Sequence, residues 1–169
     1  LISGGTLANL TVLASLLKPY ESIISASTGH INTHEAGAVE ATGHKIDVVE
    51  NPDGKLKPSQ LKEIVEIHGD EHMVKPKVVF VSNSTEVGTI YTKAELTEIS
   101  KVCKEKDLYL YLDGARLGSA LSSSQNDLAL SDIASLVDAF YIGGTKNGAL
   151  LGEAIVIVDV FWLLFKICV

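Results

Sequence analysis

The sequence predicts an α/β domain, a mainly parallel sheet with helices on both faces. Short β-branched or apolar runs alternate with segments of helical period along the chain. Parallel neighbours need crossover connections, and the helical segments supply them. With 169 residues and 46% hydrophobic content, the chain is long enough to bury one substantial core and short for two.

The elements follow in order. Ser3-Gly4-Gly5-Thr6 leads into a helical pattern of Leu7, Leu10, Thr11, Leu13, Ala14 and Leu17. Strands are expected at Ser22 to Ser25, Lys45 to Val49, Lys77 to Val81, Leu108 to Leu112, Ala139 to Ile142 and Ala154 to Val158. After the turn at Asp53-Gly54, Pro58 opens a helix that carries Leu61, Ile64 and Val65. Thr92-Lys93-Ala94-Glu95 is a capping box ahead of Leu96, Ile99, Val102 and Cys103, whose spacing puts them on one buried face.

Charge and composition narrow the partners. A formal net charge of -7, without any dense Lys/Arg run, disfavours nucleic acid and anionic membrane surfaces and leaves small metabolites. Cys103 and Cys168 form neither a disulfide framework nor a metal-spaced set, which suits a reducing, cytoplasmic setting. The start at Leu1, with no basic region or cleavage pattern, reads as a fragment that begins inside a domain. The apolar end from Asp159 to Val169 is too short, and too interrupted by Asp159 and Lys166, to span a bilayer.

Ligands of parallel α/β sheets bind at the carboxyl ends of the strands. Three expected strands end in Ser82-Asn83-Ser84-Thr85, Asp113-Gly114-Ala115-Arg116 and Gly143-Gly144-Thr145-Lys146, which bring an amide, a carboxylate, a guanidinium and an amine to one rim. Singly, each has a plain explanation: Asp113 as a helix cap, Lys146 as a solvated lysine in a turn, Arg116 as half of a surface salt bridge. Together they match what pyridoxal 5'-phosphate (PLP) requires, namely an amine for a Schiff base, a carboxylate for the pyridine nitrogen and a phosphate site. Ser3-Gly4-Gly5-Thr6 at a helix N-terminus would be that phosphate site. Arg116 is the sole arginine, and its planar fork suits a carboxylate bidentately. His30 and His34, four apart, could mimic a metal pair but have no third ligand, so no metal is expected. His44 and His68 are expected to be structural and His72 solvated.

Ser3-Gly4-Gly5-Thr6-Leu7-Ala8-Asn9, Gly29-His30-Ile31 with Glu35-Ala36-Gly37, Asp113-Gly114-Ala115-Arg116 and Gly144-Thr145-Lys146 stand in this order. The ordered set resembles the threonine aldolase and aromatic amino acid β-eliminating lyase family, fold type I PLP enzymes. The resemblance implies that Lys146 carries the cofactor, Asp113 meets the pyridine nitrogen, His30 stacks on the ring and Ala115 backs it. It further implies phosphate binding by Gly5 and Thr6 with help from Thr145, a ring-oxygen contact from Asn83, and a contact from Arg116 to the cofactor hydroxyl or the substrate carboxylate. Residues 1–158 would then be part of the PLP-binding large domain, lacking an N-terminal segment and the C-terminal small domain, with 159–169 an apolar tail outside the family pattern. The implied reaction is retro-aldol cleavage of a β-hydroxy amino acid to glycine and an aldehyde, in a homodimer or homotetramer, with His30 as the candidate base. Typical threonine aldolases carry Glu-Asn-Thr-His-Asn where this chain has Ser82-Asn83-Ser84-Thr85-Glu86, so Thr85 replaces the histidine near the substrate hydroxyl. β-Elimination, amino transfer and a non-catalytic fragment are the alternatives.

Overall fold

The computed structural model describes residues 1–158, so the expected apolar tail and Cys168 lie outside the described residues. Six strands form one sheet in the order β2-β1-β3-β4-β5-β6. They are β1 (Glu21–Ala26), β2 (Ile46–Val49), β3 (Lys75–Ser82), β4 (Tyr109–Asp113), β5 (Ala139–Gly143) and β6 (Glu153–Ile157). The first five pair in parallel, and β6 runs antiparallel beside β5. Every expected strand is present, with ends moved by one or two residues. The helices are α1 (Gly5–Leu16), α2 (His30–Thr33), α3 (Pro58–Ile67), α4 (Lys93–Glu105), α5 (Leu117–Leu121) and α6 (Leu130–Leu136).

Strand alternation splits the core into two layers. In β3, Val79 and Val81 join Leu61 of α3 and Leu96, Ile99 and Val102 of α4, while Val78 and Phe80 face Ala8, Val12, Leu13 and Leu16 of α1. In β4 the same period sends Leu110 and Leu112 to the α4 side and Tyr111 to the α1 side. Asp113, two residues after Tyr111, follows it to the α1 side. That parity decides what the carboxylate can meet.

The Thr92 capping box forms as expected. Glu95 N donates to Thr92 Oγ1 at 3.2 Å, and Thr92 N donates to Glu95 Oε2 at 2.8 Å. Pro58 sits in the first turn of α3, where its missing N–H costs nothing. Helix α1 corrects the expected apolar pattern: it buries Ala8, Asn9, Val12, Leu13 and Leu16, whereas Leu7 and Ala14 are exposed. The buried stripe is set by packing on β3 and β5, and it places the polar Asn9 inside.

The remaining histidines serve the fold. His44 is buried with Nδ1 3.2 Å from Glu21 O, and His68 closes α3 with Nδ1 2.9 Å from Ile64 O and Nε2 3.3 Å from Asp47. His72 is exposed. Cys103 is buried, and burial pushes its thiol up to about 12, which removes it from thiolate chemistry. Among the described residues, no helix is long and apolar enough to cross a membrane.

Candidate active site

The segments that follow β1, β4 and β5 meet the N-terminus of α1 around a cavity of about 230 Å³. Its lining brings together Gly5, Thr6, His30, Ala115, Thr145 and Lys146, which the sequence places on four separate segments. Tyr141 and Glu153 complete the wall. Asn83, Asp113 and Arg116 lie outside this lining. Asp113 is buried one contact behind it, Asn83 is fully buried, and Arg116 is half-buried at the start of α5.

Asp113 is held from three directions. Its Oδ1 accepts from Tyr141 Oη at 2.6 Å and from Ala115 N at 2.9 Å, and its Oδ2 accepts from Asn9 Nδ2 at 3.0 Å. The carboxylate of Asp113 and burial together push the Tyr141 phenol far above its ordinary range, with burial the larger cause, so the phenol remains a donor. The turn at Gly114 depends on having no side chain. A Cβ there would lie 1.8 Å from the Tyr141 carbonyl oxygen, so only glycine lets the β4 and β5 ends close on each other.

Lys146 stands exposed on the cavity wall, in a single 3-10 turn of residues Thr145–Asn147. The next residue fastens that turn: Asn147 Nδ2 donates to Gly143 O at 2.7 Å and to Ala115 O at 3.2 Å. On the opposite side, α1 starts at Gly5 after an extended Gly4, with no side chain capping its first N–H groups. Open N–H groups at a helix start, on a cavity wall, are what an anion needs. A Cβ on Gly5 would stand 2.9 Å from Tyr141 Oη, so glycine also keeps this wall close to the tyrosine.

His30 opens α2. Its Nδ1 lies 2.8 Å from Glu35 Oε1, and its ring stacks on that of His34 with centroids 5.7 Å apart. The hydrogen bond to Glu35 raises the His30 pKa above 6.5, burial works against it, and the charge of Glu35 and Asp113 adds to the rise. The two histidines gather no third ligand, and no group of three metal-ligating side chains occurs among the described residues.

In the loop after β3, Thr85 and Glu86 take different surroundings. Thr85, in the place of the family histidine, is buried and turned into its own loop, its Oγ1 2.7 Å from Thr89 Oγ1. Glu86 is half-buried, accepts from Ser82 Oγ at 2.8 Å and lies in the field of Asp113 and His30. Burial raises its pKa, with Asp113 contributing.

Sequence reasoning gave no role to Asn9, Glu35, Tyr111, Tyr141, Glu86 or Asn147. Tyr111 carried a usable signal, because period two aligns it with Asp113 on one face. Asn9 carried a weaker one as a polar residue within a helix that must pack on a sheet.

A beta-eliminating lyase family model matches residues 1–161. The low specificity L-threonine aldolase of Pseudomonas aeruginosa is 41% identical over 153 residues, which are 89% of this chain and 44% of that protein. The yeast Saccharomyces cerevisiae enzyme of the same description is 29% identical over 157 residues, 90% of this chain and 40% of that protein. The chain thus spans less than half the length of these relatives. Among solved structures, threonine aldolase from Leishmania major superposes with a TM-score of 0.94 at 55% identity, covering 95% of this chain and 47% of that one. Mouse CSAD, at 21% identity and a TM-score of 0.74, shares the fold. With a family model matched along nearly its whole length, the chain belongs to the beta-eliminating lyase family.

Proposed function

We propose that this chain forms the cofactor-binding part of a PLP-dependent lyase that cleaves the Cα–Cβ bond of β-hydroxy amino acids to glycine and an aldehyde. The observation that carries the cofactor reading is the cavity, where Lys146, His30, Ala115 and the uncapped start of α1 converge with Asp113 directly behind. The residues fit the group. Lys146 offers its amine, Asp113 a carboxylate fixed by three donors, and Gly5, Thr6 and Thr145 an anion site. Asn83 supports the fit as well, since its Nδ2 is buried without a hydrogen-bond partner, a donor that a ring oxygen would satisfy. When bound, PLP supplies an electron sink for the charge left on the α-carbon.

The likeness to threonine aldolases selects the reaction. In it, the substrate hydroxyl loses its proton, the Cα–Cβ bond breaks with its electron pair passing to the α-carbon, the aldehyde leaves, and the α-carbon regains a proton. We assign the first proton to His30, which lies on the cavity wall and contacts a carboxylate through Nδ1. Glu86 lies in the field of His30 and Asp113 after β3, and burial raises its pKa. Arg116 is assigned to the substrate carboxylate on its chemistry. A cytoplasmic location is inferred from two cysteines without disulfide or metal spacing, and homo-oligomerisation from the family resemblance.

The test is product analysis of the purified protein with PLP. Aldehyde and glycine from L-threonine or L-allo-threonine are expected. Pyruvate from a β-chloro amino acid without aldehyde from either threonine would assign the site to β-elimination instead.

A further inference from the structure

Glu35 is a wholly buried carboxylate that the retro-aldol scheme does not use. Its side chain has no exposed surface, its Oε1 lies 2.8 Å from His30 Nδ1, and the same oxygen accepts from Asn9 Nδ2 at 2.7 Å. Its Oε2 is buried without a hydrogen-bond partner. Asn9 is saturated: one amide hydrogen goes to Glu35, the other to Asp113 Oδ2 at 3.0 Å, and its Oδ1 accepts from Tyr111 Oη at 3.0 Å. Flipping that amide would turn its oxygen toward two carboxylates, so the network fixes its orientation. A carboxylate only accepts, so with Glu35 Oε1 taking the Asn9 amide hydrogen and facing His30 Nδ1, the hydrogen shared with His30 is the ring's own.

We propose that Glu35, clamped by Asn9, is the positioning residue for His30: it holds the imidazole proton on Nδ1 and leaves Nε2 as the nitrogen presented to the cavity. The significance of that nitrogen rests on the proposed function, but the tautomer itself does not. Asn9 thereby ties the histidine's support to Asp113, so the group behind the cavity and the group on its wall are fixed by one amide. The charges that face His30 are Glu35 from its own segment, Asp113 from the end of β4, Lys146 from the turn after β5 and Glu86 from the loop after β3. His34 covers one ring face.

The experiment is 15N-imidazole NMR of the full chain without cofactor or substrate, with His30 assigned by the signals lost in His30→Asn. Neutral His30 is expected as the Nδ1–H tautomer with Nε2 unprotonated, titrating above 6.5, the hydrogen bond to Glu35 outweighing burial. In Glu35→Gln the midpoint shifts down and the Nδ1–H preference is lost, while Glu35→Asp retains part of both. An Nε2–H tautomer in the unmodified chain overturns the proposal, as does an unchanged midpoint in a folded Glu35→Gln protein. The first measurement decides even if that variant fails to fold. Absence of PLP binding or aldehyde production would count against the proposed function and leave this result standing.

Discussion

At the scale of single residues, Glu86 presents a carboxyl whose surroundings disfavour its charge. Burial dominates, the Ser82 hydroxyl opposes it, and the nearby Asp113 adds to the rise. The folded pKa is therefore above the unfolded 4.5, so the favourable contribution is complete below the unfolded value and is lost as pH rises through the folded one. Glu86→Gln should accordingly raise the melting temperature at neutral pH, and the gain should vanish toward pH 4, as calorimetry across that range would record. If Glu86 handles a proton in turnover, the same variant loses kcat while it gains stability, the usual signature of a site kept for function. A variant that is neither stabilised at pH 7 nor slowed would remove Glu86 from the site. Thr85 carries no such expectation, because its hydroxyl is already engaged with Thr89.

At the scale of elements, α1 joins fold and site. Its inner stripe packs on the sheet through Val12, Leu13 and Leu16, its first turn faces the cavity, and Asn9 between them reaches Asp113 and Glu35. Leu13→Ala should cost about 2–5 kcal/mol of stability, since it empties part of a close-packed layer. Leu7→Ala, at an exposed position, should change stability by less than about 0.5 kcal/mol. Urea denaturation of both variants checks the pair, and equal losses would mean that α1 packs on a different face. Helical period alone offered Leu7, Leu10 and Leu13 as similar positions, because their distinction is made by the sheet beneath and not by the helix. The strands and the Thr92 cap were legible, since alternation and a capping box are local signals. Asp113, which ends β4, and Lys146, in the turn after β5, could be placed at the carboxyl edge because each stands at a strand end in a parallel sheet. The linkage of Asn9 to Glu35 and Asp113 was not, because it joins residues 26 and 104 positions apart whose meeting depends on the packed core.

At the scale of the molecule, five parallel strands and one antiparallel edge strand form a platform whose carboxyl edge, together with α1, makes a cavity lined from five segments. The acidic chain, with a formal net charge of -7, places its open helix start and Lys146 on that edge, together with the carboxylate of Glu153. The match to relatives covers less than half of their length. On the proposed function, this cavity holds PLP through Lys146. Borohydride reduction of the protein mixed with PLP, followed by peptide mapping, tests it most directly. A pyridoxyl mass on the peptide containing Lys146, lost in Lys146→Ala, is the expected result, whereas label on another lysine, or none at saturating PLP, would contradict it.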